Sequence, residues 1–253
     1  MKIAVCVKRV PDTETRIKIG GGGGSGTGID EAGVKFILNP YDEFAVEEAL
    51  QRKDKAGTGE IVVITVGGDA AQETIRTALA MGADRGVLLK ADAIPADGLA
   101  VAKALAAELK AGGYDLILCG KLAVDDANHQ VGVMVAELLG LPCVSSAAKI
   151  EWGEGTAVAE REVEGGIEVV AFALPAVVTC EKGLNTPRYP ALKGIMAAKK
   201  KPIEVKPAQL GPARVAVRSL TLPPERKEGR IVGEGPAAVA ELVKLLQTEA
   251  KVL

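Results

Sequence analysis

Short apolar runs rich in β-branched residues alternate with segments of helical periodicity through the first half of the chain. The apolar runs lie at residues 3–7, 61–66, 86–89 and 116–119, and the helical segments at 41–55, 70–81, 97–111 and 128–139. Runs that are apolar on both faces are typical of a parallel sheet covered by helices on both sides. The repetition therefore predicts an α/β fold with a doubly wound, mostly parallel, Rossmann-like sheet.

The pattern changes after residue 145. Runs at 149–152, 158–163, 167–172 and 176–180 are short and β-rich, and glycine pairs lie between them, which predicts a small antiparallel elaboration. The proline-rich stretch that follows predicts an extended arm, and a helix with one apolar face follows from residue 236. We therefore divide the chain into an α/β domain at 1–185, an arm at 186–235 and a C-terminal helix at 236–253.

Composition excludes several classes of function. The chain has one histidine, His129, and 3% aromatic residues. A site that needs two imidazoles is therefore excluded, and base-stacking platforms are disfavoured. A net charge of -2 argues against a nucleic-acid partner.

Cysteine usage and the N-terminal segment indicate the compartment. The four cysteines form no CxxC pair, and most lie in apolar runs, which indicates reduced core thiols. The first residues resemble neither a signal peptide nor a transit peptide, and no apolar run reaches the ~18 residues of a membrane span. We expect a cytoplasmic protein without direct membrane insertion.

A glycine run at residues 20–26 formally contains the GxGxxG pattern. No buried strand precedes it and no helix follows it, as a dinucleotide fingerprint requires. It lies between strand-like runs at 16–19 and 34–38. A hairpin tip is the favoured interpretation, and a phosphate loop is the alternative.

The segment 120–132 is a better candidate for a binding site. It leaves a buried strand and enters a helix, where open α/β sheets bind their ligands. Backbone amides at the helix start can hold a phosphate, and Asp or Asn side chains can bond a ribose. Simple capping by Asp126 or Asn128 is the alternative. Asn39 similarly precedes Pro40 at a helix start, where capping alone would explain it.

A third candidate is the apolar cluster around Leu192, which is followed by Lys199, Lys200 and Lys201. No regular element is expected in this stretch. Apolar anchors ringed by lysines suit a docking site for an acidic protein partner. Packing of Leu192 onto its own domain is the alternative.

Read together, these segments resemble the electron transfer flavoprotein β subunit. The resemblance spans nearly the whole chain in order, and its matching stretches are 7–10, 39–49, 72–85, 120–126, 128–132, 160–166, 174–179 and 185–189. It implies a heterodimer with an α subunit that mainly holds one FAD. Such a pair is an electron carrier rather than an enzyme, and passes electrons from acyl-CoA or other flavin dehydrogenases to a quinone oxidoreductase.

The resemblance also implies the site residues. An AMP pocket would comprise Cys6, Asn39, Pro40, Tyr41, Asp42, Val66, Gly120, Lys121, Leu122, Ala123, Val124, Asp125, Asp126, Ala127, Asn128, His129, Gln130 and Val131. Tyr41 and Glu162 would lie towards the FAD. The recognition loop would dock the dehydrogenase through Arg188, Tyr189, Leu192, Ile195 and Met196, with Leu192 as the anchor. The C-terminal helix would pack on the partner subunit.

Two features depart from the family pattern, namely the sequence Ala191-Leu192-Lys193-Gly194 and the long glycine run. The first leaves the identity of the dehydrogenase open. A bifurcating member of the family, with a second FAD in place of AMP, is the alternative reading of the pocket. A nucleotide-hydrolysing or AMP-forming enzyme and a stress-protein-like binding module are more distant alternatives on the same fold.

Overall fold

The computed structural model describes residues 1–20, 26–224 and 228–253. Contacts divide the chain into two compact units, Met1–Leu220 and Thr221–Leu253. Among the described residues, the first unit contains two sheets and five α-helices. The second contains a helical segment that begins at Pro236, with α6 at Val239–Leu245. Residues 21–25 of the predicted hairpin tip lie outside the described residues.

The first unit is built around one nine-stranded sheet. Its strand order is β11-β5-β4-β1-β6-β10-β7-β8-β9. The strands are β1 (Lys2–Cys6), β4 (Glu60–Gly67), β5 (Arg85–Lys90), β6 (Leu116–Gly120), β7 (Cys143–Trp152), β8 (Thr156–Val163), β9 (Gly166–Ala173), β10 (Ala176–Cys180) and β11 (Ile203–Pro207). A separate antiparallel pair joins β2 (Arg9–Pro11) to β3 (Phe36–Leu38).

Helices cover both faces of this sheet. They are α1 (Pro40–Ala56), α2 (Ala71–Met81), α3 (Gly98–Gly112), α4 (Val131–Leu139) and α5 (Leu192–Ala198). One apolar core joins the sheet to α1 and α2, and another joins it to α3 and α4. Alternate residues of β1 enter the two cores, with Ile3 and Val5 in one and Ala4 and Cys6 in the other. The doubly wound α/β fold that the sequence predicts is confirmed.

The antiparallel elaboration is smaller than predicted. β8 pairs antiparallel with β7 and β9, as expected. However, β10 is parallel to both of its neighbours, β6 and β7, so assigning residues 176–180 to the elaboration was wrong. All five residues of β10 are buried, as expected for a strand inside a sheet covered on both faces.

Two other sequence predictions need correction. The stretch predicted to be an extended arm contains two regular elements. Helix α5 packs on α2, and β11 adds a parallel edge strand beside β5. In the hairpin, β3 pairs with residues 9–11 rather than with the run at 16–19. Of that run, Ile19 makes a single antiparallel bridge to Ile29.

Candidate functional site

A cleft of about 620 Å³ opens at the carboxyl ends of β1, β4 and β6. The chain reverses direction across the sheet here, because β4 and β5 lie on one side of β1 and β6 lies on the other. Such a reversal leaves a crevice in which open α/β sheets bind ligands. The lining includes these residues of the predicted pocket: Cys6, Asp42, Val66, Gly120, Lys121, Leu122, Ala123, Asp125, Asp126, Asn128, His129, Gln130 and Val131.

Other predicted residues lie beside the cleft rather than in its lining. These are Asn39, Pro40, Tyr41, Val124 and Ala127. Sequence reasoning missed a wall formed by Ile94, Pro95 and Ala96, which follow β5, and by Val217. The position of residues 94–96 after the carboxyl end of a neighbouring strand was a usable signal.

Asn39 precedes α1 but does not cap it with its side chain. Its amide instead reaches the segment that begins at the last residue of β6, which we call the cleft loop (residues 120–130). The Asn39 Nδ2 group donates to the Leu122 carbonyl at 2.7 Å, and the Val124 amide donates to Asn39 Oδ1 at 3.1 Å. The capping role expected of this side chain was therefore wrong, and Asn39 holds the cleft loop instead.

Asp42 joins the first turn of α1 to the ends of two strands. Its carboxylate accepts the Lys8 amide at 2.7 Å and the Gly120 amide at 3.0 Å. Burial raises the pKa of Asp42 to about 7, against the opposing effect of these hydrogen bonds. Gly120 makes the close approach possible, because a Cβ there would lie 2.3 Å from Asp42 Oδ1.

The lysines in the described cleft lining are paired with carboxylates. Lys8 Nζ lies 2.8 Å from Asp125 Oδ1 and 2.9 Å from Asp126 Oδ2. Burial opposes the charge of Lys8, but the two carboxylates outweigh it and raise the Lys8 pKa. Lys121 pairs with Glu181. The described lysines of the lining thus both have carboxylate partners.

Helix α4 starts at Val131, three residues later than predicted. The preceding Ala127 and His129 have positive φ angles of 50° and 55°, which the helical assignment of residues 128–130 could not accommodate. Gln130 supplies no side-chain cap, so the first amides of α4 are left to other acceptors. Gly132 lets α4 approach the sheet, because a Cβ there would lie 2.7 Å from Thr179 Cγ2.

Two cysteines lie in the floor of the cleft. Cys6 and Cys119 are in-register neighbours on β1 and β6. The Cys6 thiol and burial together raise the pKa of Cys119 well above its usual range. Both thiols are free, as the sequence predicts, and a neutral buried thiol is unreactive.

The predicted docking residues fall into two groups. Tyr189, Leu192, Ile195 and Met196 are exposed, and Leu192 begins α5. Arg188 instead turns inward, where its guanidinium meets the buried Glu47 carboxylate at 2.8 Å. The stretch around Leu192 was expected to be irregular, which was wrong.

The two residues predicted to face the flavin do not line the cleft. Tyr41 is half-buried in the first turn of α1. Glu162 is exposed on β8, opposite Ile167 of β9.

Comparisons with known proteins match the whole chain to one family. A model of the electron transfer flavoprotein domain matches residues 26–210. The electron transfer flavoprotein subunit beta of Syntrophomonas wolfei is 43% identical over 253 residues, which cover all of this chain and 98% of that protein. The chain belongs to the electron transfer flavoprotein family, as a β subunit. The subunits beta of Bacillus subtilis and Homo sapiens are 42% and 40% identical over 100% and 97% of this chain, and over 100% and 98% of their own lengths.

Two kinds of feature are absent from the described parts of this β subunit. Within residues 1–20, 26–224 and 228–253, no helix is long and apolar enough to cross a membrane. Those ranges also contain no group of three or more His, Cys, Asp or Glu residues that could hold a metal ion.

Proposed function

We propose that this β subunit pairs with an α subunit that holds most of one FAD, and that the pair carries electrons. Donors would be acyl-CoA or other flavin dehydrogenases, and the acceptor a quinone oxidoreductase. When bound, the flavin supplies the redox chemistry. The observation that carries the proposal is the cleft at the reversal of the sheet, within a chain whose relatives are subunits of this carrier.

We further propose that the cleft binds AMP as a structural ligand. Its volume of about 620 Å³ is in the range of small-molecule sites. The uncapped amides at the start of α4 and the cleft loop would hold the phosphate. The carboxylates of Asp125 and Asp126 can accept hydrogen bonds from ribose hydroxyls. The residues present therefore fit a nucleotide with a single phosphate group.

The third element of the proposal is dehydrogenase docking through α5. Leu192 and Met196 are 74% and 64% exposed, and Lys193, Lys199 and Lys200 lie near them in the sequence. An apolar anchor with lysines nearby suits a partner whose surface is acidic and carries an apolar pocket. The flavin side of the subunit would be formed by Tyr41 and Glu162.

Ligand release from the purified heterodimer tests this function. The complex should be yellow, and denaturation should release about one FAD and one AMP per heterodimer, identified by mass and absorbance. Two FAD per heterodimer would instead indicate the bifurcating type. Release of ATP or ADP alone would favour a nucleotide-binding enzyme, and a colourless, folded complex would contradict the carrier function.

A further inference from the structure

Lys8 is the residue in the cleft that most resembles a ligand for a phosphate. It follows the end of β1 and lines the cleft, and its side chain remains 41% exposed. Its ammonium nevertheless lies within 3 Å of two acceptors of the cleft loop, at 2.8 Å from Asp125 and 2.9 Å from Asp126. A phosphate would have to compete with two carboxylates for this one cation.

The backbone of Lys8 is held as firmly as its side chain. Its amide donates to Asp42 Oδ2 at 2.7 Å, and its carbonyl accepts the Asn39 amide at 3.0 Å. Both partners belong to the start of α1. Lys8 therefore joins a rigid strand end and helix start to the cleft loop.

The cleft loop needs such support. Asp125 and Asp126 are adjacent carboxylates, which repel each other unless a cation lies between them. Ala127 and His129 adopt left-handed backbone angles, which are unfavourable for a residue with a Cβ. Such angles persist where surrounding contacts impose them. Lys8 provides such contacts at residues 125 and 126, and Asn39 provides others at 122 and 124.

We propose that Lys8 is a positioning residue: it bridges Asp125 and Asp126 and thereby holds the cleft loop in its ligand-binding shape, rather than binding the ligand's phosphate. This inference rests on the proposed adenylate cleft. Under this proposal, uncharged backbone amides bind the phosphate. It also explains how two carboxylates can lie in a cleft for an anionic ligand.

A double-mutant cycle in the complete heterodimer tests the proposal. The variants are Lys8→Met, the pair Asp125→Asn with Asp126→Asn, and all three changes together. AMP binding is measured by calorimetry on nucleotide-free complex, and hydrogen–deuterium exchange of residues 120–130 is measured without nucleotide. Lys35→Met is the matched control, because the exposed Lys35 also pairs with a carboxylate, that of Asp12, and neither residue lines the cleft.

We expect Lys8→Met to weaken AMP binding by about tenfold and to accelerate exchange in the cleft loop before any ligand is added. In the background that lacks both carboxylates, Lys8→Met should change neither quantity further, because Lys8 acts through them. A loss of AMP affinity by the same factor in both backgrounds, with unchanged exchange, would show that Lys8 binds phosphate and would overturn the proposal. Unchanged affinity and unchanged exchange in Lys8→Met would overturn it as well.

The two readouts separate this proposal from the one on which it rests. If the wild-type complex binds no AMP, the adenylate assignment fails. The exchange rates of the cleft loop would still show whether Lys8 holds it through Asp125 and Asp126. Faster exchange in Lys8→Met alone, absent when both carboxylates have been replaced by amides, would support the positioning role under either result.

Discussion

Asp42 is a buried carboxyl group whose ionisation should be visible in the pH dependence of stability. Its pKa is raised to about 7 by burial, whereas an unfolded Asp ionises near pH 3.8. Between these values the folded chain binds more protons than the unfolded chain, so this group makes the folded state less stable as the pH rises from about 4 to 7. At about 1.4 kcal/mol per pH unit, the wild type should lose roughly 2–4 kcal/mol relative to Asp42→Asn across this window.

Denaturant unfolding of the two proteins at pH 4.5 to 8 measures this difference. The difference should level off above about pH 8, where Asp42 is ionised in both the folded and the unfolded state. The amides of Lys8 and Gly120 bond different oxygens of Asp42, so Asp42→Asn keeps an acceptor for only one of them and should lose an amount of stability that does not depend on pH. Parallel curves for the two proteins would contradict the assignment.

Gly120 is required for the same contact. A Cβ at this position would lie 2.3 Å from Asp42 Oδ1 and 2.7 Å from the Tyr41 carbonyl carbon. The second atom belongs to the backbone, so relief requires α1 to move away from β6. We expect Gly120→Ala to lower the free energy of unfolding by about 1–3 kcal/mol and to weaken AMP binding. Gly166→Ala, where the added Cβ meets nothing within 4 Å, is the control, and equal losses in both variants would refute the explanation.

At the scale of secondary-structure elements, α5 is a short helix that tertiary contacts hold in place. Arg76 Nη1 donates to the carbonyls of Ala198 and Lys201 at 2.5 and 2.6 Å. Gly194 fits against α2, because a Cβ there would lie 2.5 Å from the Ala80 carbonyl oxygen. The proposed docking surface is therefore already formed in the free subunit, which would lower the entropy lost on binding.

Leu192→Ala should separate docking from folding. Leu192 is 74% exposed, so its truncation should leave the thermal midpoint and the FAD content unchanged. If Leu192 is the anchor, losing about 1.5–3 kcal/mol of apolar burial should raise the concentration for half-maximal reduction by the dehydrogenase by about tenfold or more. Val205→Ala on β11, also exposed, is the control. Unchanged kinetics for Leu192→Ala would refute the anchor.

Elements that short stretches of sequence determine were predicted correctly. Those that depend on contacts between residues far apart in the sequence were missed. The strands around β1 have continuous apolar runs, so periodicity alone finds them. Helix α5 has seven residues, too few for a periodic signal, and Arg76 is 122 residues away from its Ala198 partner. The role of Asn39 was missed for a similar reason, because Leu122 lies 83 residues away in sequence. Position after a strand identified the cleft loop, whereas the contacts that shape it are long-range.

At the scale of the whole molecule, the ligand cleft and the C-terminal segment belong to different units. Every described residue that lines the cleft lies within Met1–Leu220. In the second unit, α6 has no buried residues, and Val239, Leu242 and Val243 are exposed. Exposed apolar side chains in one stripe of a helix are typical of a surface that a partner covers.

A chain that ends at Leu220 should therefore keep its AMP binding but associate more weakly with the α subunit. We expect it to bind AMP with an affinity within about threefold of the intact chain, because it keeps every described residue that lines the cleft. Its association with the α subunit should weaken by at least about tenfold, because the apolar stripe of α6 would be absent. Calorimetry measures the first quantity, and sedimentation of the mixed subunits by analytical ultracentrifugation measures the second. Loss of AMP binding with intact association would reverse the assignment, because the C-terminal segment would then serve the cleft and the first unit would hold the partner.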